Sequence, residues 1–219
     1  MFCTSTWLIV NDKMKIQKLI KSLIDRLMAA IALLIISPFL LLTAIIIYLR
    51  MGKPIIFSQI RAGKNGRIFT IYKFRTMTDD RDSQGNLLPD EKRLIPLGQL
   101  LRRLKIDELL QLWNVLKGDI SFVGPRPTIP QQVADYDDFQ RGRLNVLPGI
   151  TGWAQVHGNI QLTWPERIML DLWYIDHWSL ALDFVILIKT IGVVIWGEHP
   201  VAKKLEEAKN YANYSRRSC

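Results

Sequence analysis

Cysteine is almost missing from this chain. The 219 residues hold two, Cys3 and Cys219, one near each end. That excludes a disulfide framework and any CxxC pair, and makes a reducing compartment the default. Histidine is nearly as scarce. His157, His177 and His199 have no cysteine pair beside them and form no zinc pattern. There is no P-loop, no GxGxxG and no GxSxG, so the common signatures of nucleotide hydrolysis, dinucleotide binding and serine-esterase chemistry are absent. Acidic residues are outnumbered, 20 Asp and Glu against 29 Lys and Arg, for a formal charge of +9. Such a surplus points to nucleic acid, anionic lipid or a phosphorylated substrate. A composition of 49% hydrophobic, 22% charged and 10% aromatic residues excludes a disordered tail, a collagen and a coiled-coil rod. No internal repeat or linker is visible, and the reading is one domain carrying its own anchor.

What is present is a long apolar run. Leu27 to Leu49 is 23 residues without a charge, and a spanning helix needs about 20. It is too long for a secretory signal and lacks the polar face of a buried soluble helix. Lys13, Lys15, Lys18, Lys21 and Arg26 precede it, and Arg50, Lys53 and Arg61 follow it. Positive residues mark the cytoplasmic side, and here both flanks carry them. Ser37-Pro38 sits in the middle, where Pro38 leaves the Leu34 carbonyl without its helical donor. Each half rises roughly 15–17 Å, about half of a ~30 Å hydrocarbon core. These features fit a helix that enters, bends and returns, and equally a kinked spanning helix. Residues 1–61 carry +6 of the total charge. Anionic lipid accounts for that better than DNA does, so no nucleic-acid partner is expected.

Beyond the anchor, PIIFSQI (54–60) and RIFTIYKF (67–74) read as a β-hairpin turning at Asn65-Gly66. Residues 79–92 read as a surface loop. Leu97, Leu100, Leu101 and Leu104 recur at helical spacing, as do Leu109, Leu112, Trp113 and Leu116, with Gly118 as a stop. Thr163-Trp-Pro-Glu166 is a capping box that starts a helix near Trp164. Residues 180–196 form a last apolar helix, too short and too charged to span, suited to the membrane interface. The tail after Gly197 is polar.

The densest chemistry lies in residues 100–127. Asp107 and Glu108 stand at an expected helix start, just after Arg102, Arg103 and Lys105. Either they cap the helix, or a carboxylate pair beside cations holds a divalent metal with a diphosphate. One of them can also attack phosphorus. Lys73 and Arg75 close a strand, as edge charges or phosphate ligands. Arg126, between Pro125 and Pro127, has a restricted backbone that aims its guanidinium, at a surface turn or at a phosphate. Asp171 shares a helical face with Arg167, where an i, i+4 salt link is its plain role. Asp183, inside an apolar helix, needs a partner, structural or functional.

KFRTM, DELxQLWNVLKGDxSxVGPRP, PGITGWAQV and DLWYIDHWSLALD resemble the bacterial sugar transferases, the monotopic phosphoglycosyl transferases. The likeness runs in order from about Lys15 to Trp196, and is to the minimal catalytic form without the extra N-terminal membrane helices of a larger subgroup. It implies a mostly helical α+β fold with an N-terminal re-entrant kinked helix broken at Ser37-Pro38 and a small β-hairpin. The expected parts are residues 1–53 as re-entrant anchor, 54–197 as cytoplasmic catalytic domain with interfacial helices, and 198–219 as polar tail. Asp107 matches the nucleophile and Glu108 its dyad partner, the two also holding Mg²⁺. Lys73, Arg75, Arg102, Arg126 and Asp183 fall at substrate-binding positions. The implied reaction moves a sugar 1-phosphate from a UDP-sugar to undecaprenyl phosphate at the bacterial inner membrane and releases UMP. Two departures stand out. Leu110 replaces a usual proline, where an altered helix start is the expected effect. His157-Gly-Asn159 replaces the usual Asn-Gly-Arg, with consequences for donor choice.

Overall fold

The apolar run is helical from end to end. In a computed structural model, which describes residues 3–217 and the side chains of residues 16–215, helix α1 runs from Cys3 to Met51. Pro38 lies inside it. The Leu34 carbonyl that Pro38 cannot pair accepts a hydrogen bond from Ser37 Oγ at 2.9 Å, so the helix keeps that acceptor satisfied across the proline. Residues 16–51 are long and apolar enough to cross a membrane, and only 11% of their most apolar window is buried within the protein. Leu34, Ile35, Leu41 and Leu49 are among the most exposed large hydrophobic side chains of the described residues. A soluble core helix is instead mostly buried.

The hairpin forms where expected. Strand β1 (Ile56–Ala62) pairs antiparallel with β2 (Ile68–Phe74). Asn65 and Gly66 both take positive φ at the turn, 55° and 75°, the backbone that Asn-Gly adopts at least cost. Side chains alternate along β2. Phe69 and Ile71 are buried on one face against Ala29 of α1 and against Leu112, Val115 and Ile120. Lys73 continues that row, two residues on. Phe74, on the other face, packs with Ile47 of α1 and with Leu101.

Helix α2 (Asp90–Arg93) closes the surface loop, and α3 (Pro96–Arg103) follows with its proline in the first turn. Gly98 meets the chain so closely that an added Cβ would lie 1.8 Å from the Thr76 carbonyl oxygen. Helix α4 (Gln111–Lys117) ends at Gly118, whose φ of 80° is the left-handed stop read from the sequence. Asn114, fully buried on α4, fastens the helix to β2, donating to the Thr70 carbonyl at 2.7 Å and accepting from the Tyr72 N–H at 3.4 Å. Two three-residue strands come next in pairing, β3 (Ser121–Val123) and β4 (Gly149–Thr151), joined in parallel. Short helices α5 (Pro130–Ala134) and α6 (Asp138–Arg141) lie between them. Helix α7 (Trp164–Asp176) starts at the expected capping box, with the Glu166 carboxylate accepting from both the N–H and the hydroxyl of Thr163. Helix α8 (Leu180–Trp196) follows. The polar segment after Gly197 then folds as helix α9 (Ala202–Arg217) against α7.

Both flanks of the apolar run rest on this one domain. Lys21 pairs with Asp183 of α8 at 2.8 Å, and Asp25 accepts from Ser121 Oγ of β3 at 2.6 Å. At the other end, the Arg75 guanidinium donates to the carbonyls of Met51 at 3.3 Å and Lys53 at 3.1 Å. Asp171 is not tied to Arg167 at close range. Its short contact is to Arg143 at 2.7 Å, a pair that is almost wholly buried. Arg143 also donates to Tyr136 Oη at 2.8 Å and lies over the Trp164 ring. The expected i, i+4 link gives way because a buried guanidinium offers several fixed donors at once, while Arg167 spends its donors on the Leu162 and Ile160 carbonyls. Removing one member of a buried pair strands the other charge. Arg143→Ala is therefore expected to cost about 3–5 kcal/mol of stability, read as a lowered midpoint in urea denaturation of the detergent-solubilised protein. Arg167→Ala should cost under half as much.

Candidate active site

Three separate segments converge on one carboxylate. Glu108 stands in a 3-10 turn, Ile106–Glu108, between α3 and α4. The turn is set by Lys105, whose φ of 55° breaks the path of α3. Lys73, at the polar end of the β2 row, places Nζ 2.6 Å from Glu108 Oε1. Arg126, on the Pro-Arg-Pro loop after β3, places a guanidinium nitrogen 2.8 Å from the same oxygen. Burial works to raise the Glu108 carboxyl, but Arg126 and Lys73 overcome it and hold it down at about 2.

Asp107 is in the opposite state. It is buried, and its Oδ1 is without a hydrogen-bond partner. Burial, with the Glu108 charge beside it, pushes its carboxyl up, while Lys73, Arg102 and Lys105 work against that. Two adjacent carboxylates driven apart in this way take different chemical roles. Glu108 is locked in an ion-pair network, and Asp107 presents an oxygen that nothing in the protein engages.

The other expected site residues divide. Arg102 lies beside the pair, its Nε donating to Thr76 Oγ1 at 2.9 Å and its charge acting on Asp107. Arg75 is buried and turned to other work. Its donors go to the Met51, Lys53 and Met77 carbonyls and to Asp79. Asp183 binds Lys21 at 2.8 Å, the Tyr174 hydroxyl at 2.6 Å and Trp178 Nε1 at 3.2 Å. Those partners belong to the junction of α1, α7 and α8, next to a cavity of about 470 Å³ lined by Lys18, Lys21, Asp25 and Trp178. Neither Asp107 nor Glu108 lines that space.

A smaller cavity of about 230 Å³ does touch the dyad, with Lys105, Glu108, Arg126, Asn159 and Glu198 along its polar side. Sequence reasoning missed four residues here. Arg143 donates to the Arg126 carbonyl at 2.8 Å and so fixes the peptide between the two prolines. Arg61, at the end of β1, feels the charges of Arg126 and Glu108. Glu198 accepts from Asn159 Nδ2 at 2.7 Å and lies 3.6 Å from Lys105. Gln155 lines the cavity wall. Only the spacing of Arg61 from the hairpin turn was a usable signal, since it puts a cation on the face that carries Lys73.

The two sequence departures have plain structural readings. Leu110 has φ −64°, a value that a proline ring also adopts, while Leu109 before it is in the right-handed helical region, which a following proline disfavours. His157 is fully buried, its Nδ1 2.8 Å from the Trp153 carbonyl and its Nε2 3.2 Å from Lys189 Nζ. Burial pulls its pKa down to about 4. The neutral ring then donates from Nδ1 and accepts from the lysine at Nε2.

A divalent cation is compatible with this donor set. Asp107 Oδ1 is a buried, unengaged oxygen, and Glu108 is adjacent. No group of three or more His, Cys, Asp or Glu that can hold a metal exists among the described residues. Mg²⁺ is commonly held by one or two carboxylates, with substrate phosphate and water completing its shell.

The family model described as bacterial sugar transferase matches residues 16–197. An uncharacterized sugar transferase, EpsL, of Bacillus subtilis (strain 168) is 49% identical over 180 residues, covering 82% of this chain and 89% of its own length. A UDP-N-acetylgalactosamine-undecaprenyl-phosphate N-acetylgalactosaminephosphotransferase of Aeromonas hydrophila is 42% identical over 186 residues, 81% of this chain and 44% of its own. An undecaprenyl-phosphate glucose phosphotransferase of Komagataeibacter xylinus is 41% identical over 185 residues, 78% of this chain and 35% of its own. The chain thus spans most of the first relative and under half of the other two. From the membrane-length helix to the end of α8, with the dyad, the Pro-Arg-Pro loop and Lys73 inside the matched stretch, the chain belongs to the bacterial sugar transferase family.

Proposed function

We propose that the protein transfers a sugar 1-phosphate from a UDP-sugar to undecaprenyl phosphate at the cytoplasmic face of the bacterial inner membrane, releasing UMP. The observation that carries this reading is Asp107 Oδ1, buried and unpartnered, beside a Glu108 clamped by Lys73 and Arg126. Relatives named as undecaprenyl-phosphate phosphotransferases support the acceptor and the class of group moved.

The chemistry follows from the charges. Phosphoryl transfer depends on positioning and on neutralising oxygens as charge moves. Lys73, Arg102 and Arg126 gather around the donor diphosphate. An Asp107 carboxylate oxygen bonds to the phosphorus that carries the sugar, and the bond from that phosphorus to the bridging oxygen breaks. UMP leaves with the electron pair. An oxygen of the lipid phosphate then bonds to the same phosphorus, the Asp107–phosphorus bond breaks, and the carboxylate is regenerated. Mg²⁺ held by Asp107 and Glu108 would supply further neutralisation of the diphosphate. Glu108 keeps Lys73 and Arg126 in place through both steps. A covalent stage lets one site serve a soluble donor and a membrane acceptor in turn.

In the same reading α1 is re-entrant. Its two basic flanks rest on one domain, through Lys21 and Asp25 at one end and the carbonyls of Met51 and Lys53 at the other. A helix that crossed the bilayer would carry one flank to the far side.

Two experiments test these statements. Incubation with a UDP-sugar and no lipid should leave a phosphosugar on Asp107, seen by peptide mass spectrometry. Modification elsewhere, or single-step transfer, contradicts the assignment. Asp107→Asn should keep the melting temperature and lower transfer by about a thousandfold or more. For topology, Cys3 and Cys219 are replaced and single cysteines are placed at Lys15 and Lys64. Both should resist an impermeant thiol reagent in intact cells and react after lysis. Reaction of one alone in intact cells means a spanning helix.

A further inference from the structure

We propose that the 230 Å³ cavity beside Glu108 and Arg126 receives the first isoprene units of the acceptor, so that the protein reads its lipid next to the phosphate. The inference rests on the function proposed above and adds the place and the part of the substrate recognised.

The cavity has a polar end and an apolar body. At the polar end Glu108 and Arg126 join it to the reaction site, with the Lys105–Glu198 pair opposite. The body is walled mainly by Leu109 and Leu112, by Phe122 and Ile150, and by Val193 and Val194 of α8, with Thr151, Gln155 and Thr190 between them. Thr151 and Thr190 are paired with each other at 2.7 Å, and Asn159 donates to Glu198 at 2.7 Å, so a sugar or a nucleobase placed here finds few free partners for its hydroxyl, carbonyl or imide groups. A branched hydrocarbon needs none. The volume also falls short of the roughly 300–1,000 Å³ of pockets that take a whole drug-sized ligand, so it fits one portion of a longer molecule.

The position of α8 selects the hydrocarbon source. The helix that walls the cavity also presents Phe184, Ile188, Ile191 and Ile195 outward, all more than half exposed. Val194 belongs to both surfaces, being 41% exposed and a lining residue of the cavity. A chain dissolved in lipid thus has to pass only the edge of α8 to reach the cavity. Its phosphate then arrives at the end where Arg126 and Lys105 lie. A phospholipid has two straight acyl chains attached through glycerol, and these do not fit a single narrow pocket that adjoins the phosphate. A polyprenyl phosphate bears one branched chain directly on its phosphate.

The probe is farnesyl phosphate, whose binding to the detergent-solubilised protein is measured without donor. Wild type should bind it, and Val194→Phe, which fills the cavity from its lipid-side edge, should weaken binding at least tenfold. The same variant should raise the acceptor KM for undecaprenyl phosphate at least tenfold, with donor-dependent labelling of Asp107 retained. Because Val194→Phe can disturb α8, wild type is also labelled with farnesyl phosphate carrying a photoreactive diazirine in its first isoprene unit. Crosslinks should map to Leu109, Leu112, Val193 or Val194. Crosslinks confined to the outer face of α8, or a raised donor KM with an unchanged acceptor KM, overturn the inference. If wild type neither labels Asp107 nor releases UMP with any UDP-sugar, the proposed function itself fails. If those reactions proceed and farnesyl phosphate binds equally to wild type and variant, only the placement of the isoprene fails.

Discussion

One oxygen atom gathers the site. Glu108 Oε1 accepts from Lys73 at the end of the hairpin and from Arg126 on the loop beyond β3. These segments share no continuous secondary structure, and the turn bearing Glu108 is only three residues long. Lys73 and Glu108 are mostly enclosed, with 18% and 13% of their side chains exposed, so that pair is stronger than at a surface and either charge is costly to leave alone, whereas Arg126, 41% exposed, is the member open to solvent. Arg126 is further held at its carbonyl by buried Arg143, itself paired with Asp171 of α7. A chain of contacts therefore runs from α7 to the dyad. Asp107, next in sequence to Glu108, keeps a buried oxygen without a partner, as do Gln155 on the cavity wall and Asp171 at the far end of this chain of contacts.

That arrangement gives two adjacent carboxylates different surroundings. Glu108 Oε1 takes both cations, whereas Asp107 Oδ1 takes no hydrogen bond. The opposite directions in which their carboxyls are driven express the difference.

Local features were the legible ones. The Asn-Gly turn, the Gly118 stop and the Thr163–Glu166 box act within a few residues, and each element begins or ends where those residues place it. The cluster of Asp107, Glu108, Arg102, Lys73 and Arg126 was also legible, because the motif is dense in charge. Sequence could not distinguish Lys73 from Arg75, two cations two residues apart on one strand end. One meets Glu108 and the other is spent on backbone carbonyls at the end of α1. Asp183 looked like a site residue for the same reason that it is not in the cluster: a carboxylate in an apolar helix must find a partner, and its partner, Lys21, is 162 positions away in the chain. Arg143 was invisible because its ties to Asp171 and to the Arg126 carbonyl join segments 28 and 17 positions apart. Strands β3 and β4, three residues each, are too short to show a periodic pattern.

Arg75 also bears on how this protein can be handled. Its guanidinium is nearly buried and satisfied by carbonyls at the C-terminal end of the apolar helix. Ala29 and Ile47 of that helix are completely buried, Ala29 in a cluster with Phe69, Ile71 and Leu112, Ile47 in one with Phe74 and Leu101. Trimming the anchor to obtain a water-soluble fragment would thus open two hydrophobic clusters and leave a stranded cation two residues from Lys73. The segment that looks like a detachable tether is a wall of the protein's own interior, and extraction into a detergent or a polymer-bounded lipid disc has to bring it along intact.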